Sequence, residues 1–145
     1  SAAGMARRLA ATTWPADVLA ERTALVPVPL SAARLRERGY NQSMLLATAL
    51  AARWGMVVWD DVLRRVRATR VQARLTPDDR LRNVAGAFRA EESARPRLRG
   101  AHLVLVDDVV TTAATLNACA AALVAGGARI VSYVTFGRAR PEPRA

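Results

Sequence analysis

Four consecutive apolar residues, Leu103 to Val106, run directly into two carboxylates, Asp107 and Asp108. A short apolar run of this kind suits a strand buried on both faces, and such strands belong to parallel sheets covered by helices. After Val109 and Val110 the chain reads Thr111-Thr112-Ala113-Ala114-Thr115, and then Leu116, Cys119, Ala120 and Leu123 recur at helical spacing. A helix starting near Thr112 leaves its first amides unpaired and carries the positive end of the macrodipole. It therefore favours a phosphate dianion, with Thr111, Thr112 and Thr115 as hydroxyl donors. Carboxylates repel that phosphate, so Asp107 and Asp108 face something else that accepts carboxylates, such as vicinal sugar hydroxyls or a divalent cation, the alternative being a capping or salt-bridged pair at a strand end. A phosphorylated sugar satisfies both ends.

Upstream, Ala24 to Leu30 reads as a short strand interrupted by Pro27 and Pro29, which cannot donate to a ladder. Ser31 to Gln42 follows it, and Arg34, Arg36 and Arg38 are expected on a loop, where open α/β sheets bind ligands. Asn41 caps a largely buried helix from Gln42 to about Trp54, ended by Gly55. Met56 to Trp59 and Val62 to Val66 read as two short strands around the Asp60-Asp61 turn. The polar, basic stretch over 67–82, interrupted by Pro77, reads as a small flap able to close over an anion with Arg65, Arg67 or Arg80. Thr76 to Asp79 reads as a helix start, Ala85 to Ala90 as another strand, and Glu91 to Gly100 as a surface connection. His102 enters the central strand in a structural role. Gly126-Gly127 caps the following helix, and Ala128 to Phe136 reads as the next parallel strand. The first 23 residues are expected to be helical in part, and residues 138–145 form a basic tail.

The 145 residues suit one domain, with 52% hydrophobic residues for its core. Charge is lopsided: 22 basic residues against 12 acidic, formally +10, and every basic residue is arginine. That excess suits polyanions, although a bias toward Arg and Ala in a lysine-free chain accounts for it equally well. Three Trp, two Tyr and two Phe are scattered, without the interleaving that base-stacking surfaces use. The single Cys119 excludes an internal disulfide and a cysteine-based zinc site, and reads as a packed thiol. With no bilayer-length apolar run and no signal-peptide pattern, no membrane association and a cytoplasmic location are expected.

Val104 to Leu116 resembles the PRPP-binding signature of type I phosphoribosyltransferases, an apolar strand running into Asp-Asp and a Thr-Thr-Gly-Ala-Thr type loop. Ala113 stands where that signature has glycine. Pro27 to Leu30, Arg34 and Arg38 to Gln42 resemble a second block, found in the ComF family of phosphoribosyltransferase-like proteins linked with natural DNA uptake. A third block is Leu63 to Arg67, Thr69, Gln72, Leu75, Arg80 and Asn83 to Phe88. Three blocks in order cover most of the chain. The cysteine-rich zinc module of many ComF members has no counterpart here.

The resemblance implies a Rossmann-like α/β fold, with a mainly parallel sheet of about five strands, helices on both faces and a small flap. It also implies that Asp107 and Asp108 are the catalytic pair, meeting ribose hydroxyls and Mg2+, while Thr111, Thr112, Ala113, Ala114 and Thr115 hold the 5-phosphate. Ser31, Arg34, Arg38, Arg65 and Arg67 are the candidates for pyrophosphate. Three functions follow: a phosphoribosyltransferase acting on a base or other nitrogen nucleophile, a non-catalytic PRPP or nucleotide sensor, and a DNA-uptake accessory that binds single-stranded DNA or a helicase.

Overall fold

The computed structural model describes residues 22–67, 76, 84–108 and 113–135. Its elements are β1 (Ala24–Pro27), α1 (Ala32–Arg38), α2 (Gln42–Trp54), β2 (Val57–Val58), β3 (Leu63–Arg65), β4 (Phe88–Ala90), a 3-10 turn (Glu92–Ala94), α3 (Arg95–Leu98), β5 (His102–Asp107), α4 (Ala113–Ala125) and β6 (Ile130–Thr135). Four strands pair in the order β2-β1-β5-β6, all parallel. Among the described residues the sheet thus has four strands where about five were expected.

Every residue of β5 is buried, as its apolar run demands, and period-two alternation sorts its side chains between two layers. Leu103 and Leu105 join Ala24, Val26 and Val28 against Leu116, Cys119 and Leu123 of α4, with Phe88 and Leu98 closing the layer. On the other face Val104, Val106 and Leu25 pack with Leu46, Ala47 and Leu50 of α2. Helices therefore cover both faces. Ala24 stands opposite Leu103 and Pro27 opposite Val106, so β1 and β5 lie side by side and end together.

Proline is tolerated in a central strand for a local reason. The Leu25 carbonyl accepts from Trp59 N at 2.9 Å on the β2 side, whereas Val28 N donates to Val106 O at 3.0 Å on the β5 side. Pro27 shares the β2 side with Leu25, and β2 has already ended at Val58. The missing N–H faces no ladder.

The two segments flanking Asp60-Asp61 do not pair with each other. β2 joins the main sheet, while β3 pairs antiparallel with β4, Leu63 opposite Ala90 and Arg65 opposite Phe88. Leu63 and Phe88 are buried while Arg64 and Arg89 are exposed, the half-buried alternation that suits an antiparallel ribbon.

Two further expectations are corrected. Ser31 to Gly39 is not a loop: Ala32, Ala33, Leu35 and Glu37 favour helix, the Ser31 hydroxyl accepts from Arg34 N, and Gly39 closes α1 at φ 76°. Glu91 to Gly100 is not a bare surface connection either, because Ala94 and Leu98 turn inward on the 3-10 turn and α3. By contrast α2 keeps the anticipated bounds, with Asn41 Oδ1 accepting from Ser43 N and Met44 N and Gly55 at φ 64°. The amino-terminal helix, the Thr76–Asp79 helix start, most of the flap including Arg80, and the basic tail lie outside the described residues.

Candidate functional site

β5 delivers Asp107 and Asp108 to the carboxyl edge of the sheet, beside the end of β1. Asp107 is 4% exposed. Its Oδ1 accepts two hydrogen bonds, from Ser43 Oγ at 2.7 Å and from the Asp108 amide at 2.8 Å. Its Oδ2 is buried and receives none among the described residues. Burial in this apolar setting pushes the carboxyl up to about 6, and the Asp108 charge adds to the rise. The bonds from Ser43 and the Asp108 amide, and the nearby Arg65 guanidinium, oppose it.

Asp108 is more open and meets Arg38 Nη1 at 3.4 Å. With both side chains partly exposed, that contact contributes at most about 1 kcal/mol. It reaches from the last residue of α1 across to the end of β5, so α1 leans over the acid pair although none of its residues is buried.

Arg65 arrives from the other layer. Its place on β3 puts it on the inward face with Leu63, where its guanidinium stacks over Phe88 at 4.7 Å from the ring centre. There it acts electrostatically on Asp107 and Cys119. Burial holds its own ionisation below the ordinary arginine range.

The expected site residues thus divide. Asp107, Asp108, Arg38 and Arg65 converge on the end of β5. Ser31 serves as the α1 cap, while Arg34, exposed on that helix, is near enough to Arg65 for its charge to disfavour the ionised Arg65. Arg67 points elsewhere, its guanidinium donating to the Ala85 carbonyl. Thr111 and Thr112 lie outside the described residues. Ala113 opens α4, exposed, followed by buried Ala114 and half-buried Thr115. Its φ is not positive, so the backbone at this position makes no demand that only glycine meets. Cys119 is fully buried and its thiol is pushed far up by burial, which suits packing and not nucleophilic chemistry.

Sequence reasoning missed Ser43. The available signal was its spacing, since Ser43 shares one helix face with Leu46, Ala47 and Leu50 and so had to be buried. A buried hydroxyl requires a partner, and that partner is 64 residues away.

A metal ion at this edge would find two carboxylates, and among the described residues no group of three or more His, Cys, Asp or Glu side chains. That sparse oxygen set fits Mg2+, which is usually held by one or two carboxylates together with water and phosphate oxygens. Among the described residues the buried Asp107 Oδ2 receives no hydrogen bond, so it has none to give up to a cation.

A parallel sheet covered on both faces by helices, with an acid pair where two central strands end and a helix following it, defines a Rossmann-like domain of the type I phosphoribosyltransferase kind. The chain belongs to the family described as phosphoribosyl transferase domain, which matches residues 26–144. It is 43% identical over 108 residues to the DNA utilization protein YhgH of Escherichia coli K12, covering 74% of this chain and 45% of that protein. It is 37% identical over 94 residues to the competence protein F of Haemophilus influenzae, covering 65% of this chain and 41% of that protein. These names bear out the ComF resemblance, and the chain spans less than half the length of either relative. Among solved structures, the allosteric regulatory enzyme of purine biosynthesis matches 99% of this chain and 26% of its own, with TM-score 0.58 and 19% identity. That likeness shows the fold. No helix among the described residues is long and apolar enough to cross a membrane.

Proposed function

We propose that this domain binds PRPP with Mg2+ at the carboxyl edge of β5, and transfers or recognises its ribose 5-phosphate with release of pyrophosphate. The observation that carries the reading is the Asp107–Asp108 pair, one carboxylate buried with an oxygen that receives no hydrogen bond among the described residues and the other partly exposed, placed just before α4 in a chain of this family. The ribose hydroxyls donate to the two carboxylates, and the 5-phosphate lies against the segment from Thr111 to Thr115 at the start of α4. As the bond from the anomeric carbon to pyrophosphate lengthens, positive charge develops on the sugar. Asp107 and Asp108 then stabilise the sugar better in that state than in the ground state. Arg38 and Arg65 flank the pair and oppose the negative charge of the leaving pyrophosphate. Mg2+, when bound by Asp107 and Asp108, supplies further neutralisation of that charge. The lone pair of the acceptor nitrogen forms the new bond to the anomeric carbon as the bond to pyrophosphate breaks, and the proton that the nitrogen loses passes to water or to the departing pyrophosphate.

Calorimetric titration with PRPP, with and without Mg2+, tests the reading. The wild type should bind saturably, and the double variant Asp107→Ala with Asp108→Ala should lose Mg2+-dependent binding while unfolding cooperatively. Equal binding by both proteins would remove the acid pair from the site. Pyrophosphate release with a base acceptor separates a transferase from a sensor.

A second reading is polyanion binding in DNA uptake. It is favoured by α1, which is exposed along its length and carries Arg34, Arg36 and Arg38, and by the names of the relatives.

A further inference from the structure

Asp107 could turn either carboxylate oxygen toward α2, and the groups around it settle which one is held. Its Oδ1 accepts from the Ser43 hydroxyl and the Asp108 amide, whereas the buried Oδ2 receives no hydrogen bond among the described residues. The amide lies on the next residue, just past the end of β5, and moves with Asp107. Ser43 is the independent restraint, because it belongs to α2 and is itself held in place. Its own amide donates to Asn41 Oδ1 at 3.0 Å, and Asn41 Nδ2 donates to the Val28 carbonyl, just past the end of β1, at 3.4 Å. A continuous run of hydrogen bonds therefore joins the exit of β1, the first turn of α2 and the last residue of β5. Each member is at least partly buried, and Ser43 is 3% exposed, so water competes little for these bonds.

We infer that Ser43 is a positioning residue for Asp107: by holding Oδ1 it fixes the carboxylate rotamer at the end of β5, where the sugar or its cation is met. The inference rests on the proposed function and deepens it, since Ser43 touches no ligand and acts only through Asp107. Its location on α2 also ties the exit of β1, where α1 and its arginines begin, to the acid pair.

A loss confined to ligands that use Asp107 separates positioning from general support of the fold. Wild type, Ser43→Ala and Ser43→Thr would be titrated calorimetrically with Mg2+ and PRPP, and separately with inorganic phosphate, alongside thermal unfolding of each protein. Removing a hydrogen bond to a charged group should weaken PRPP binding by about tenfold or more. Phosphate binding, which engages the start of α4, should stay within twofold of wild type, and Ser43→Thr should keep most of the PRPP affinity because it keeps the hydroxyl. Equal losses for PRPP and phosphate in Ser43→Ala would reduce Ser43 to a packing role and overturn the inference. So would Ser43→Ala with unchanged PRPP affinity, or Ser43→Thr as weak as the alanine while unfolding at the wild-type temperature. If Ser43→Thr unfolds early, the ratio of PRPP to phosphate loss in Ser43→Ala decides alone. A wild type that does not bind PRPP overturns the proposed function, and this inference with it.

Discussion

Asp107 ends a strand buried on both faces, and burial raises its carboxyl from 3.8 to about 6. Between these values the native state holds a proton that the unfolded chain has already released. By linkage the Asp107 contribution to stability is therefore greatest below about pH 4, falls as pH rises through 4 to 6, and levels off above. A shift of this size corresponds to about 3 kcal/mol as an upper value. Urea unfolding across this range should show a decline in wild type that is absent in Asp107→Asn, after both are compared at pH 4. A decline of the same size in the variant would place its origin in other groups. Functional sites commonly carry such a cost, because a group poised for a ligand is held where the empty fold would prefer a neutral one. Some of this was legible in the sequence. An apolar run ending in Asp-Asp located the pair, but nothing local told the buried carboxylate from the open one. The partners that distinguish them, Ser43 for Asp107 and Arg38 for Asp108, are 64 and 70 residues distant.

At the scale of elements, α4 shows how two adjacent glycines perform different work. Gly127 adopts φ 121° and turns the chain out of the helix, the role expected of a capping glycine. Gly126 has an ordinary φ, but a Cβ on it would lie 2.7 Å from the Ala90 Cβ and 3.0 Å from Leu98 Cδ1. It lets the end of α4 press against β4 and α3. Gly126→Ala should therefore destabilise the fold by about 1–3 kcal/mol through overpacking, read as a lowered denaturant midpoint. A midpoint equal to wild type would mean that β4 and α3 shift aside freely. The bounds of α2 were read correctly because Asn41 and Gly55 act within one turn of the helix they terminate. α1 carries equally local signals in its Ser31 cap and Gly39 terminus, and the arginines between them are themselves good helix formers.

Over the whole molecule, the formal charge of +10 and the exposed α1 bear on the second functional reading. If the basic surface binds single-stranded DNA, affinity should fall steeply and log-linearly with salt, and the Asp107→Ala, Asp108→Ala double variant should bind as the wild type does. DNA affinity that is flat with salt would exclude the charged surface as its origin. The sequence by itself determined the buried parallel strand, the helix that follows the acid pair, the capped α2 and the family, because each rests on periodicity or chemistry within a few residues. Tertiary structure decided which strands share a sheet: β2 and β3 are neighbours in sequence, yet one joins β1 and the other turns away to β4. It also decided that Arg65 faces inward over Phe88 and that Ser43 meets Asp107. Those contacts arise only when crossover connections bring distant segments to one edge, and a side chain's partner across such a crossover has no local signature for the chain to display.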